Sequence, residues 1–183
     1  MFAPLIKKIA WALDLAKIPY MIIGGQAVLL YGTPRFTRDV DITLGVDTDT
    51  LPTIKKVCKK LGLKILPKNA KNFVDDTRVL PAEDIKSNIR IDFIFSFSIY
   101  EGQAIKNAKK VFINNYAVHF ASPEDIIIHK LIAARAIDIE DVKNLLTKNR
   151  GLDIAYIRKW LNEFEQTLSQ PFLKRFNQMW QSK

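Results

Sequence analysis

Residues 20–44 read YMIIGGQAVLLYGTPRFTRDVDITL, and the order of features along this stretch decides the fold. "YMII" is a short apolar run, which predicts a buried strand. It leads straight into Gly24-Gly25. "QAVLLY" predicts a helix of under two turns, stopped by Gly32 and Pro34. "RFTRDVDITL" then alternates from Asp39 onward. Val40, Ile42 and Leu44 turn one way; Asp39, Asp41 and Thr43 turn the other.

Two carboxylates at i and i+2 on one strand face lie about 7 Å apart along the backbone and repel each other. A divalent cation such as magnesium relieves that repulsion, because it takes hard oxygen ligands and keeps phosphate or water in its other positions. A solvated strand face is the plain alternative, and Asp-x-Asp by itself does not separate the two. Gly24 and Gly25 add to the pattern. Small residues between a strand and a helix let a phosphate reach backbone N–H groups at the positive end of the helix dipole; taken alone they equally make an ordinary tight turn, and the signal lies in their combination with the two aspartates. Triphosphate and metal would then meet at one edge.

Further along, "IRIDFIFSF" (residues 89–97) predicts another strand, with Arg90, Asp92 and Ile94 on one face and Ile91, Phe93 and Phe95 on the other. A charge in so apolar a strand has to be solvated or bound to a cation. A metal would serve, and so would a salt bridge to Arg90 or a nearby lysine; the pattern leaves both open. If this strand lies beside the Asp39–Asp41 strand, three carboxylates converge, and two magnesium ions could sit among them.

The rest of the chain frames these strands. Leu5, Ile6, Ile9, Leu13 and Ala16 mark the buried face of a first helix. "DTLPTIKKVCKKLGL" predicts a helix exposing Lys55, Lys56, Lys59 and Lys60, and "LKIL" a short strand. "PKNAKNFVDD" is ambiguous between loop and helix. "TRVLP" predicts a strand, "YEGQAIKNAKK" a helix, and "KVFIN" with "YAVHFA" a hairpin across Asn114-Asn115. At Ala121 the pattern changes from strands to helices. Ser122 as N-cap, Pro123 at the first helical position and Glu124 with Asp125 in the first turn open helices over about 123–136, 138–148, 153–168 and 171–180. The domain reading is therefore a core over 1–121, then a helical part over 122–183 packed on it.

Composition narrows the class. With 183 residues, 48% of them hydrophobic, the chain can bury one well-packed core. Its 28 Lys and Arg against 19 Asp and Glu give a formal charge of +9. That balance suits nucleotides, nucleic acid or acidic surfaces, and equally a plain basic protein. A single cysteine, Cys58, excludes an intrachain disulfide and sits among Ile54, Val57 and Leu61 as a core thiol. Lys7, Lys8 and Asp14 interrupt the apolar N-terminus, so it predicts neither a signal peptide nor a membrane span; a cytoplasmic location is the expectation. Neither His119 nor His129 has metal-ligand spacing around it. Trp11, Trp160 and Trp180 read as core or interface anchors.

"GGQAVLLYGTPRFTRDVDITL" closely resembles the signature of nucleotidyltransferases of the polymerase-beta superfamily, in particular the branch that includes AbiEii-type toxins. That branch reads Gly-Gly-x-Ala, then Gly-x-x-Arg-x-Thr-x-Asp-x-Asp, with a later strand aspartate. Gly24, Gly25, Ala27, Gly32, Arg35, Thr37, Asp39, Asp41 and Asp92 match it. "SPEDIIIHKLIAARAIDIEDVKNLL" resembles the branch's helical segment through Pro123, Glu124, Asp125, Lys130, Ala133, Arg135, Asp138 and Asp141. The resemblance spans roughly residues 20–147, and the final ~35 residues match nothing recognisable.

The resemblance implies an α/β (α+β) nucleotidyltransferase fold with a mixed central sheet, followed by C-terminal helices. It implies that Asp39, Asp41 and Asp92 are catalytic and hold two Mg²⁺ ions. Gly24 and Gly25 would cradle phosphates, with Arg35, Thr37, Lys130 and Asp141 also nucleotide-binding. The implied reaction moves an NMP from an NTP to an RNA, tRNA first, or to a protein. A toxin role with a cognate antitoxin fits the branch. One departure stands out: many superfamily members read Gly-Ser where this chain has Gly24-Gly25, so a phosphate-binding hydroxyl is missing. That departure supports the alternative of a catalytically weak nucleotide- or RNA-binding regulatory protein on the same fold.

Overall fold

The alternation in "DVDITL" shapes the sheet around it. In a computed structural model that describes residues 2–34, 36–96 and 98–181, this segment is strand β2 (Asp39–Leu44), with Val40, Ile42 and Leu44 fully buried. Before it come helix α1 (Phe2–Leu15), strand β1 (Tyr20–Ile23) and helix α2 (Gly24–Tyr31). After it come α3 (Leu51–Leu61), β3 (Leu63–Ile65), α4 (Ala70–Thr77), β4 (Val79–Asp84), β5 (Ile89–Phe95), α5 (Ile99–Asn107), β6 (Lys109–Ile113) and β7 (Tyr116–Phe120). Four helices close the chain: α6 (Pro123–Ala133), α7 (Ala136–Lys148), α8 (Ile154–Leu168) and α9 (Phe172–Gln181).

The strands form one mixed sheet of seven, in the order β3-β4-β5-β2-β1-β7-β6. β2 runs parallel to β5 and antiparallel to β1, and β1 runs parallel to β7. The parallel pairs need crossovers, which is why helices separate those strands in the chain. Ile89, Ile91, Phe93 and Phe95 of β5 are buried with the apolar side of β2, which dictates which face the alternate residues occupy. The hairpin between β6 and β7 turns on Asn114 and Asn115, at φ 48° and 64°. Two successive positive φ values make the turn that matches strand twist, and asparagine tolerates them.

The chain divides into two compact units. One holds residues 1–26 and 36–120, with the whole sheet; the other holds residues 27–35 and 121–183. The change from strands to helices at Ala121 thus coincides with a boundary. The first unit is discontinuous, because segment 27–35 groups with the helices. Within that second unit, Asn149 donates to the Tyr31 carbonyl at 3.0 Å and Lys148 to the Gly32 carbonyl at 3.2 Å. These bonds satisfy carbonyls that the end of α2 leaves over.

Several local readings change. α2 begins at Gly24, so both glycines lie in its first turn and not ahead of it. Phe36, Thr37 and Arg38 are outside any strand, and β2 starts only at Asp39. The ambiguous stretch contains α4, whose Asn69 side chain accepts from the Asn72 N–H and caps it. α6 stops at Ala133 because Ala134 takes a left-handed conformation, φ 52°, and α7 starts at Ala136. Of the two roles read for Trp11, core or interface, the core one does not apply: it is 44% exposed, with the Lys60 ammonium 4.4 Å from its ring centroid. Trp160 is buried. Cys58 is fully buried, and desolvation pushes its thiol up to about 12, in keeping with an inert core residue.

Candidate active site

Parallel pairing of β2 with β5 puts Asp39 beside Arg90 and Asp41 beside Asp92. Residues paired in register point to the same face, so the three aspartates share one side of the sheet, opposite to the buried Val40, Ile91, Ile42 and Phe93. On the far side of β5, Glu83 of β4 pairs with Arg90 and Pro81 with Asp92. On the near side, Ile23 at the end of β1 pairs with Asp41 and delivers the chain directly into Gly24. One sheet face therefore carries four carboxylates around a single arginine.

The glycine turn presses on this face. A Cβ at Gly24 would stand 1.9 Å from Asp41 Oδ2, and Gly24 has φ +63°. Both facts demand glycine. A Cβ at Gly25 would stand 2.4 Å from Thr37 Oγ1. The Thr37 side chain thus occupies the space that a residue larger than glycine would claim. Its hydroxyl donates to Asp39 Oδ1 at 3.1 Å, and the buried Gln26 amide donates to the Asp39 carbonyl at 3.3 Å. The start of α2, the segment after it and the two strand carboxylates form one connected arrangement inside the first unit.

Asp92 is directed at Arg90. The guanidinium Nε donates to both oxygens of Asp92, at 2.9 and 3.2 Å, and the side chains are 54% and 17% exposed. The Arg90 pKa is raised, first by this hydrogen bond. Partial burial opposes the rise, and the charges of Asp92, Asp39 and Asp41 add to it. Of the two readings that the strand left open, the side chain itself adopts the salt bridge. Among the described residues no three His, Cys, Asp or Glu side chains are gathered into a ready-made metal cage.

The helical residues singled out by sequence lie in the second unit. Lys130 is 5% exposed, and its ammonium meets Asp138 Oδ1 at 2.6 Å and Asp141 Oδ2 at 3.0 Å. Arg135 donates its Nε to Asp138 Oδ2 at 2.6 Å and is mostly exposed. Burial pushes the Asp138 pKa up, but the Arg135 and Lys130 contacts outweigh it and hold the carboxyl below its ordinary value. The left-handed turn at Ala134 makes this cluster, bringing α7 back toward Lys130. Arg35, an expected nucleotide contact, lies outside the described residues. Sequence reasoning passed over Gln26, Glu83 and the structural part of Asp138. Glu83 had no signal in the sequence, because only the register of β4 on β5 sets it beside Arg90, whereas Asp138 was visible as a carboxylate eight residues from Lys130.

A family model described as "Nucleotidyl transferase AbiEii toxin, Type IV TA system" matches residues 16–176. No curated protein matches the sequence. Among solved structures, the antibiotic-resistance factor ANT(2'')-Ia is similar with a TM-score of 0.64 and 19% identity, over 91% of this chain and 94% of that one. An antigenic nucleotidyltransferase-like protein from Paracoccidioides brasiliensis gives 0.57 and 19%, over 94% and 92%. The lincosamide antibiotic adenylyltransferase LnuA, lincomycin-bound, gives 0.52 and 20%, over 78% and 97%. At these identities the structural likeness speaks for the fold: a mixed α/β nucleotidyltransferase sheet with helices. No helix of the described residues is long and apolar enough to cross a membrane. With the Gly-Gly turn set against the strand aspartates and the family match running through both units, the chain belongs to the AbiEii nucleotidyltransferase family, enzymes that transfer a nucleoside monophosphate.

Proposed function

We propose that this chain transfers an NMP from an NTP to an acceptor hydroxyl or phosphate, releasing pyrophosphate, with Asp39, Asp41 and Asp92 holding two Mg²⁺ ions. The observation that carries the reading is the register that sets Asp41 beside Asp92 while Gly24 lies against Asp41. The donor set fits: three hard carboxylates on one face suit magnesium, which binds through a few carboxylates plus phosphate oxygens and needs no complete protein cage. Bound there, the ions would neutralise the triphosphate and favour in-line displacement.

The protein's own groups divide the remaining work. N–H groups of the first turn of α2 receive the β and γ phosphates at the positive end of the helix dipole. Thr37, filling the space beside Gly25, places a hydroxyl next to Asp39 and answers the missing serine at that turn. Asp92 accepts the acceptor's proton. Lys130 and Asp141, held in their buried cluster, take the nucleotide roles that the family resemblance gives them only if that cluster opens. RNA, tRNA first, is the favoured acceptor and a protein side chain the second, in keeping with the family's toxin description and the charge of +9. An antitoxin partner follows from the same description.

The test is labelling. Wild-type protein with Mg²⁺, each labelled NTP in turn, and total RNA or cell extract is expected to give a labelled macromolecule. Asp41→Asn keeps the shape but removes one anionic ligand, and is expected to lower labelling by roughly a hundredfold or more, as removal of a single key electrostatic contact does. No label from metal-loaded wild type with every NTP and extract would leave the regulatory-binder reading in its place.

A further inference from the structure

Arg90 has an odd position for a transferase site. On the face shared by Asp39, Asp41, Asp92 and Glu83, where Lys64 flanks Glu83 from β3, Arg90 is the cation among the aspartates: register neighbour of Asp39 on one side and Glu83 on the other, with its Nε–H shared by both oxygens of Asp92. The one Nε–H is shared between both oxygens of Asp92, the atoms that a metal would need. Guanidinium and divalent ion cannot both have them at close range. The guanidinium is also free to leave, since its side chain is 54% exposed.

We infer that Arg90 is a resident counterion that competes with divalent metal for Asp92, so that loading of the site requires the guanidinium to swing off. This rests on the metal-site reading above. The consequence is a threshold: without metal, Arg90 offsets the repulsion among the clustered carboxylates; with metal, its own attraction to Asp92 has to be overcome. A metal-triphosphate complex meets that demand better than the bare ion does, because its phosphates offer the displaced guanidinium a new anionic partner.

The experiment is a Mn²⁺ titration followed by electron paramagnetic resonance, on the full chain, without and with a non-hydrolysable NTP. Wild type, Arg90→Gln, Arg90→Lys and Asp92→Asn are compared, and thermal midpoints are recorded in chelator. Arg90→Gln is expected to bind bare Mn²⁺ roughly tenfold tighter than wild type, the size of one partly exposed charge-assisted contact. Its midpoint in chelator should fall by about a few degrees and recover on adding Mn²⁺. Arg90→Lys keeps the charge without the planar fork and should lie between. Unchanged or weaker Mn²⁺ binding by a folded Arg90→Gln, while Asp92→Asn still weakens it, overturns the inference and leaves the metal site standing. Mn²⁺ binding that is absent in wild type and in Arg90→Gln even with the non-hydrolysable NTP, or indifferent to Asp92→Asn, removes the metal site and the inference together.

Discussion

The two units each carry a cluster of carboxylates around a cation, and the clusters are built in opposite ways. On the sheet face, Asp39, Asp41, Asp92 and Glu83 share one half-exposed arginine. In the helical unit, Lys130 lies between Asp138 and Asp141, with side-chain exposures of 6%, 0% and 5%, and Arg135 adds a second cation. The helical cluster balances two carboxylates with two cations and excludes water. The sheet cluster has an excess of negative charge and stays open. A buried ion pair is costly to leave half-made, whereas an exposed one is worth little to stability. The first arrangement holds structure; the second leaves carboxylate charge exposed on the sheet face.

The largest effect should come from breaking the closed cluster. Lys130→Met keeps the length of the side chain and removes its charge, leaving Asp138 and Asp141 buried without the ammonium. A loss of about 3–5 kcal/mol in unfolding free energy is expected, as for removal of one partner of a buried pair. Arg90→Gln, in the open cluster, should cost no more than about 1 kcal/mol. Urea denaturation of the two variants side by side checks this, and equal losses would erase the contrast.

The glycine turn allows a sharper cut within the open cluster. Gly24→Ala forces an L-residue into φ +63° and brings a Cβ to 1.9 Å from Asp41 Oδ2. The backbone term is about 1–2 kcal/mol. The steric conflict is with the end of a side chain, so Asp41 can turn away, and the fold should survive while transfer falls far more than stability does. Gly25→Ala meets Thr37 Oγ1 at 2.4 Å and should act through Thr37, raising KM for NTP more than it lowers the thermal midpoint. A Gly24→Ala variant that loses stability and keeps full transfer would place the aspartate face outside the chemistry.

The contrast also explains what was legible in the sequence. Alternation showed which residues of β2 and β5 share a face, and an i, i+2 spacing was enough to raise the Arg90–Asp92 pair as one of two possibilities. Adjacency of the two strands was not readable, because parallel pairing depends on crossovers and not on local pattern. The approach of Gly24 to Asp41 depends on that pairing, so it was hidden too. The Lys130 cluster was obscured by its turn: the sequence reading ran the helix that opens at Pro123 to about residue 136, but the left-handed residue is Ala134, a type that carries no turn signal. Without the bend, Lys130 and Arg135 look like a solvated face. Segment 27–35 lies between two strands in the sequence, yet it groups with the helices, where Lys148 and Asn149, more than a hundred residues away, donate to the carbonyls of Gly32 and Tyr31.

The smallest effect tests the closed cluster from its rim. The Asp138 pKa lies below its ordinary value, with burial opposing and the Arg135 and Lys130 contacts prevailing. A carboxyl whose folded pKa is depressed stabilises the protein above its unfolded pKa, near about 4, and that contribution is lost as pH falls through the folded value. Stability should thus be flat with respect to this group from neutral pH down to roughly pH 4 and decline below it. Arg135→Ala removes one of the two cations while leaving Lys130 in place. The folded pKa of Asp138 should rise toward its unfolded value, so less stability depends on its ionisation and the acid decline attributable to it shrinks. Because the Arg135 side chain is 71% exposed, solvent screens its charge, and the change at pH 7 should stay under about 1 kcal/mol. Urea midpoints taken between pH 6 and pH 3 measure the difference between wild type and variant. Parallel curves over that range would show that Lys130 alone sets the Asp138 charge, making the cluster a simple buried triad with Arg135 outside it.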